Sequence, residues 1–349
     1  MSNTKNKIKF LPLNEILNSR KLRKNLRPEY IEACRFFSAP LIDRTETLDA
    51  GIEFEVIDRL KDFSKIKKSF GEICGERAKF ICEKSFAENR KIQVLWSGGI
   101  DSTLALVSII KELEKQEDFA RLEILLSKES IAEYPTFFRD VIEKKLNYIL
   151  FEPPIYDYLN AEKIILTGEH GDQLFGSDKV QHFVMTNQAF RPFEEILPIV
   201  IARKLGSAKS VDAIISYLIP QIEKSPVKIE TLFDFLWWMN FSLKWQHVSL
   251  RMFYEEENEK FSLDENFLHF FSAKDFQNWS VSNHESKIKQ TWNSYKYVAK
   301  ECIFDFHQDE NYLLNKEKEQ SLKDAIISQP SWTRFIKRPL KNLMLFGGF

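Results

Sequence analysis

The chain has 349 residues, 44% of them hydrophobic, with 50 Lys and Arg against 51 Asp and Glu and a formal net charge of −1. This composition excludes a disordered chain and a general polyanion binder, and it leaves room for one large domain or two. Two segments are locally basic: Lys5, Lys7, Lys9, Arg20, Lys21, Arg23, Lys24 and Arg27 near the start, and Arg334, Lys337, Arg338 and Lys341 near the end. Both read first as solvated faces, with contact to RNA or another polyanion left open.

Cys34, Cys74, Cys82 and Cys302 form no C-x-x-C pair. That spacing points away from a structural zinc site or a redox pair and toward free thiols in a reducing compartment. The start MSNTKNKIKF has no apolar signal core, and no apolar run reaches membrane-spanning length. A soluble, cytoplasmic protein with no membrane partner is expected.

Residues 1–60 form an appendage of unclear fold, punctuated by Pro12, Pro28 and Pro40, in which IEFEVI at 52–57 reads as a strand or as the start of a helix. From Ile66 to Asn89 apolar residues recur at spacings of three and four (Phe70, Ile73, Cys74, Ala78, Ile81, Phe86), which predicts a helix. IQVLW at 92–96 is a short apolar run ending in Ser-Gly-Gly and reads as a buried strand. A helix follows over 101–115, then strands at LEILL 122–126, YILFE 148–152 and KIILT 163–167, with a helix over 135–146 and a short helical segment at 155–161. Alternation of this kind predicts an α/β core over 61–180 with a doubly wound, mainly parallel sheet. After Lys179 strand patterns disappear, and helical patterns at 192–205, 209–222, 228–247 and 285–304 predict a helical part, 181–349, packed on that core.

The first chemical motif is LWSGGIDSTLALV at 95–107. A strand ends, two glycines turn the chain, and a helix begins. Gly98 and Gly99 let backbone N–H groups approach an anion, and the helix N-terminus favours negative charge. Ser97, Ser102 and Thr103 offer hydroxyls. Asp101 puts a carboxylate beside the bound anion, which makes chemical sense with Mg²⁺ between them. The Lys of a kinase-type phosphate loop is missing.

SGGIDST resembles the pyrophosphate-binding loop of the ATP pyrophosphatase superfamily, which includes asparagine synthetase, β-lactam synthetase, NAD and GMP synthetases and several tRNA-modifying enzymes. The resemblance implies a HUP-like fold, with ATP and Mg²⁺ as cofactors and cleavage between the α and β phosphates. A second motif, ILTGEHGDQLFGSD at 165–178, is similar to the G-E-G-x-D-E-L-F-G-G-Y segment of asparagine synthetase and its relatives. On that match Gly168 belongs to the nucleotide site, Asp172 is a second Mg²⁺ ligand beside Asp101, and Glu169 is the acid that assists catalysis. The sequence departs from the pattern at His170, Gln173 and Ser177-Asp178.

YKYVAKE at 295–301 and NKEKEQS at 315–321 resemble, more loosely, the family's C-terminal helix and the R-x-K-E-Q-F segment after it. This implies a catalytic role for Lys318, a cation for the charge that develops at the α-phosphate. The bland reading treats Lys316, Lys318 and Lys323 alike, as a solvated face.

Ser2 stands where glutamine-dependent relatives carry a catalytic Cys, so a glutaminase within this chain is not expected. The segment 151–163 is shorter than in asparagine synthetase and shows no Thr–Arg pair for aspartate, and the loss of such a partner costs about 2–5 kcal/mol of binding. Glu152 and Tyr156 there are either pocket or structural residues. The resulting expectation is an AMP- and pyrophosphate-forming carbon–nitrogen ligase that joins a small-molecule or peptide substrate to ammonia or an amine. The alternatives are a nucleotide-binding regulatory protein on a decayed synthetase fold and a tRNA-modifying enzyme.

Overall fold

The computed structural model describes residues 7–176, 180–254 and 260–316. Five strands form one sheet in the order β3-β2-β1-β4-β5, and every pairing is parallel. They are β1 (Ile92–Leu95), β2 (Leu122–Leu126), β3 (Asn147–Leu150), β4 (Ile164–Thr167) and β5 (Phe267–His269). The first four fall where the sequence places them. The fifth is a correction to the expectation that strands end before residue 180. Its three residues are all buried, Ile165 pairs with Phe267, and so the second half of the chain completes the sheet. A three-residue strand buried on both faces has too few positions to show a period.

The helices include α1 (Pro28–Phe37), α2 (Phe70–Ala87), α3 (Ile100–Glu114), α4 (Lys128–Glu133), α5 (Gly171–Phe175), α6 (Phe193–Leu205), α7 (Ala208–Glu223), α8 (Leu232–Leu243), α9 (Trp245–Tyr254), α10 (Tyr297–Phe304) and α11 (Glu310–Asn315), together with Lys274–Ser282 between β5 and α10 and shorter helices and turns elsewhere. Ser69 starts α2 with a capping box: its hydroxyl accepts from the Glu72 N–H, and the Glu72 carboxylate accepts from the Ser69 N–H. The predicted helix at 228–247 breaks at Lys244 into α8 and α9. The pattern at 285–304 is helical only from Tyr297 onward, after two short 3₁₀ turns.

Alternate residues of β1, β2, β4 and β5 enter two cores, as a strand's period of two requires. Val94, Ile124 and Leu166 face the large core with α2, α3 and α8, while Leu95, Leu125, Ile165 and Phe267 face a smaller one. The smaller core is closed by Phe151, Ile155 and α9 residues Leu250 and Met252, with Tyr156 packed against it. Cys34, Cys74 and Cys82 are buried free thiols and Cys302 is partly buried. Among the described residues no helix is long and apolar enough to cross a membrane.

Residues 7–60 are tied into the helical part rather than appended to it. The Ile42 N–H donates to Leu243 O at 2.8 Å and the Arg44 N–H to Ser242 O at 3.1 Å. Gln246 on α9 donates to the carbonyls of Lys9 and Glu55, each at 2.8 Å. The Arg44 guanidinium is fully buried; it donates to Asp58 O, Phe241 O and Gln277 Oε1 and pairs with the Asp58 carboxylate at 2.8 Å. The IEFEVI segment is neither strand nor helix: its Phe54 makes one isolated bridge, to Ile8. Arg44→Ala removes this set of charge-assisted bonds from a dry site and is expected to cost about 3 kcal/mol. A fall in the urea midpoint at constant slope measures it; a loss under about 1 kcal/mol would show that apolar packing alone holds the segment.

Candidate active site

Strand β1 ends at Leu95, and residues 97–99 turn the chain into α3. Gly98 has φ 75, and a Cβ there would lie 2.4 Å from Ser130 O, so a side chain is excluded by both conformation and space. The loop braces itself. Ser97 Oγ and Ser102 Oγ lie 2.8 Å apart, Ser102 Oγ accepts from the Ser97 N–H at 3.0 Å, and Ser97 Oγ accepts from the Gly99 N–H. Thr103 is fully buried, and its hydroxyl accepts from the Trp96 indole at 3.0 Å. Ser97 and Ser102 therefore shape the loop, and Thr103 ties it to the core.

The second motif follows β4, which lies beside β1. Chain order runs outward from β1 through β2 and β3 and then returns to β4 on the other side, so β1 and β4 flank the sheet's switch point. Open parallel sheets bind ligands at that place, beyond the carboxyl ends of the strands. The two motifs touch. A Cβ on Gly168 would lie 2.6 Å from Ser102 N, and one on Gly171 would lie 2.2 Å from the Asp101 carboxyl carbon. Both glycines are thus dictated by the first turn of α3.

Asp101 and Asp172 converge on one cation. Lys296 Nζ lies 2.7 and 2.5 Å from the two Asp101 oxygens and 2.8 Å from Asp172 Oδ1. The Lys296 side chain is 1% exposed, whereas Asp101 and Asp172 keep 19% and 31%. Burial alone would lower the lysine's pKa, but the two carboxylates outweigh it and raise the value above the usual one. Lys296 has φ 55, in the left-handed region, and its N–H donates to Lys287 O. Sequence reasoning missed Lys296 although it lies in YKYVAKE. Its partners are 195 and 124 residues away, and no spacing rule links them.

Glu169 turns elsewhere. Both its oxygens accept from Arg251 on α9, each at 2.7 Å, and its backbone N–H donates to Thr167 Oγ1. Of the three departures from the motif, Gln173 and His170 are packing residues, and Ser177-Asp178 lies outside the described residues. Gln173 is buried and donates to Asn240 Oδ1, and the amide of Asn240 in turn holds Asp172 O at 2.9 Å. His170 is buried with φ 75 and stacks on Trp245, ring centroids 4.0 Å apart.

Lys318 lies outside the described residues. Lys316 does not belong to a solvated face: its ammonium pairs with the Glu133 carboxylate at 2.5 Å, with side chains 10% and 1% exposed. Glu133 Cβ would be 2.7 Å from a Cβ on Gly98, so the chain comes close to the 97–103 loop at Lys316. Tyr312 stacks on Tyr134 at 3.8 Å beside this pair, and the Thr136 hydroxyl donates to Asp309. Glu152 is an exposed partner of Lys128.

Two carboxylates that already share one cation suit Mg²⁺, which binds through one or two carboxylates and substrate phosphates. The described residues contain no group of three or more His, Cys, Asp or Glu able to hold a metal by themselves. Mg²⁺ alone should therefore leave the melting temperature of the wild type unchanged. Lys296→Met leaves the two carboxylates facing each other; its melting temperature should fall, and millimolar Mg²⁺ should restore part of the loss. Equal responses to Mg²⁺ in both proteins would show that the two aspartates do not form a shared cation site.

No protein-family model matches the chain, and no curated protein matches it.

Proposed function

We propose that the chain is an ATP-dependent, AMP- and pyrophosphate-forming carbon–nitrogen ligase of the asparagine synthetase-like kind, on a HUP-type sheet. One observation carries the reading: Asp101 after β1 and Asp172 after β4 meet on a single cation at the switch point, beside a glycine-turned helix N-terminus. A pure nucleotide binder does not require two carboxylates and a buried lysine at that place.

In this reading the 97–103 loop and the α3 N-terminus bind the ATP phosphates, and Asp101 and Asp172 would hold Mg²⁺, which supplies charge neutralisation for the pyrophosphate. A substrate carboxylate oxygen attacks the α-phosphorus, the bond to the bridging oxygen breaks, and pyrophosphate leaves. Lys296, displaced from the carboxylates, follows the negative charge onto the phosphates. An amine nitrogen then attacks the acyl carbon, AMP leaves with its oxygen, and Glu169 takes the proton from the amine. Arg251 fixes both Glu169 oxygens in place for that step. The resemblance adds Lys318 as a further cation at the α-phosphate.

The regulatory alternative draws on His170, Gln173 and the missing glutaminase; packing accounts for the first two side chains, and both motif acids are kept. The tRNA-modifying alternative still draws on the basic N-terminal segment, where Arg27 is engaged with Asp49.

With ATP, Mg²⁺ and panels of carboxylic acids and amines, the wild type should release pyrophosphate. Asp101→Asn should lower that release by a factor on the order of 10²–10³ with an unchanged circular dichroism spectrum. Unaltered release in the variant would remove the first motif from the reaction. Lys318→Ala should fall similarly with ATP affinity kept, while Lys323→Ala stays near wild type. Lys316→Ala is no neutral control, because it uncovers the buried Glu133 carboxylate. Equal small effects at 318 and 323 would place the catalytic cation elsewhere.

A further inference from the structure

His170 stands between the two acids of the second motif, and its backbone torsion sets the angle between Glu169 and the Gly171–Asp172 step. It holds φ 75 without being glycine, a conformation that costs on the order of 1 kcal/mol and needs compensation from its surroundings. The ring supplies that compensation. It is 1% exposed and stacks on Trp245 with centroids 4.0 Å apart and planes 15° apart, while His269 meets it edge-on at 5.0 Å.

Hydrogen bonding fixes the ring at one atom. Ser249 Oγ donates to Trp245 O, so it accepts from His170 Nε2–H at 3.0 Å. His170 Nδ1 is buried and has no donor among the described residues. A ring with a single hydrogen bond depends on the stack for its orientation. Trp245 carries the Arg44 guanidinium 4.3 Å from its ring centroid, and Arg44 is pinned by Asp58, Phe241 O and Gln277. Arg44, Trp245 and His170 are each 1% exposed. A continuous dry column therefore runs from the N-terminal segment to the turn that bears Glu169 and Asp172.

We propose that Arg44 and Trp245 are positioning residues that act through His170 to aim Glu169 and Asp172, which makes residues 7–60 a working part of the site. The proposal rests on the reading of those two acids as the ones that serve the reaction. It goes beyond packing because Phe and Leu at position 245 leave similar space yet differ in the face offered to the imidazole.

The test compares Trp245→Phe with Trp245→Leu by crystal structure, melting temperature and Mg·ATP-dependent pyrophosphate release. The two should lose similar melting temperature. In Trp245→Phe, Glu169 should remain on Arg251 and release should stay within about threefold of wild type. In Trp245→Leu, the Glu169 carboxylate should move by about 1 Å or more, and release should fall on the order of 10²-fold. Should the Leu variant fail to fold, His170→Ala removes the same stack and makes the left-handed turn unfavourable. Glu169 and Asp172 unmoved in the Leu variant, or in His170→Ala where that replaces it, overturns the proposal. So does an equal loss of release in the Phe and Leu variants. A displaced Glu169 with unaltered release upholds the column and overturns the catalytic reading of Glu169.

Discussion

A buried ammonium between two carboxylates governs this structure. Lys296 is almost fully buried, and it remains charged because Asp101 and Asp172 lie within 2.5–2.8 Å of it. Each carboxylate in turn would repel the other across a narrow crevice without that cation. The three elements involved, α3, α5 and the start of α10, come from distant parts of the chain. Their meeting is what makes one site from two motifs.

The glycines of the second motif follow from that constraint. Gly171 must lack a side chain because the Asp101 carboxylate occupies the space, and Gly168 must lack one because α3 begins there. Asn240 holds the Asp172 carbonyl from α8, and α9 supplies both Arg251 for Glu169 and Trp245 for His170. The N-terminal segment locks α8 to α9 through Arg44 and Gln246. The packing of residues 7–60 thus supports the elements that hold the second motif.

Much of the fold was legible in the sequence, since short apolar runs alternating with helical periods mark parallel strands, and the S-G-G-x-D-S-T string marks the turn from a strand into a helix. Four strands and the helix from Phe70 fall where the pattern predicts. The rest was hidden for physical reasons. β5 is too short to show a period. Lys296 looks like any lysine in a helical run, because its meaning comes from partners more than a hundred residues away. Ser97, Ser102 and Thr103 were legible as hydroxyls of a loop, but only geometry shows that they brace it and tie it to Trp96. Gln173 and His170 read as departures from a family pattern, yet their burial among Asn240, Ser249 and Trp245 makes them supports. Lys316 reads as a surface charge and is buried on Glu133.

The most direct measurement is a crystal structure with Mn²⁺ and an ATP analogue whose α–β bridge cannot be cleaved, using anomalous scattering to locate the metal. The meeting of Asp101 and Asp172 as a nucleotide–metal site predicts an anomalous peak bonded to both carboxylates. The phosphates should lie on the 97–103 loop, and Lys296 Nζ should have moved from the aspartates to a phosphate oxygen. Density for the nucleotide elsewhere, or Lys296 unmoved between the two aspartates with no metal beside them, would contradict it.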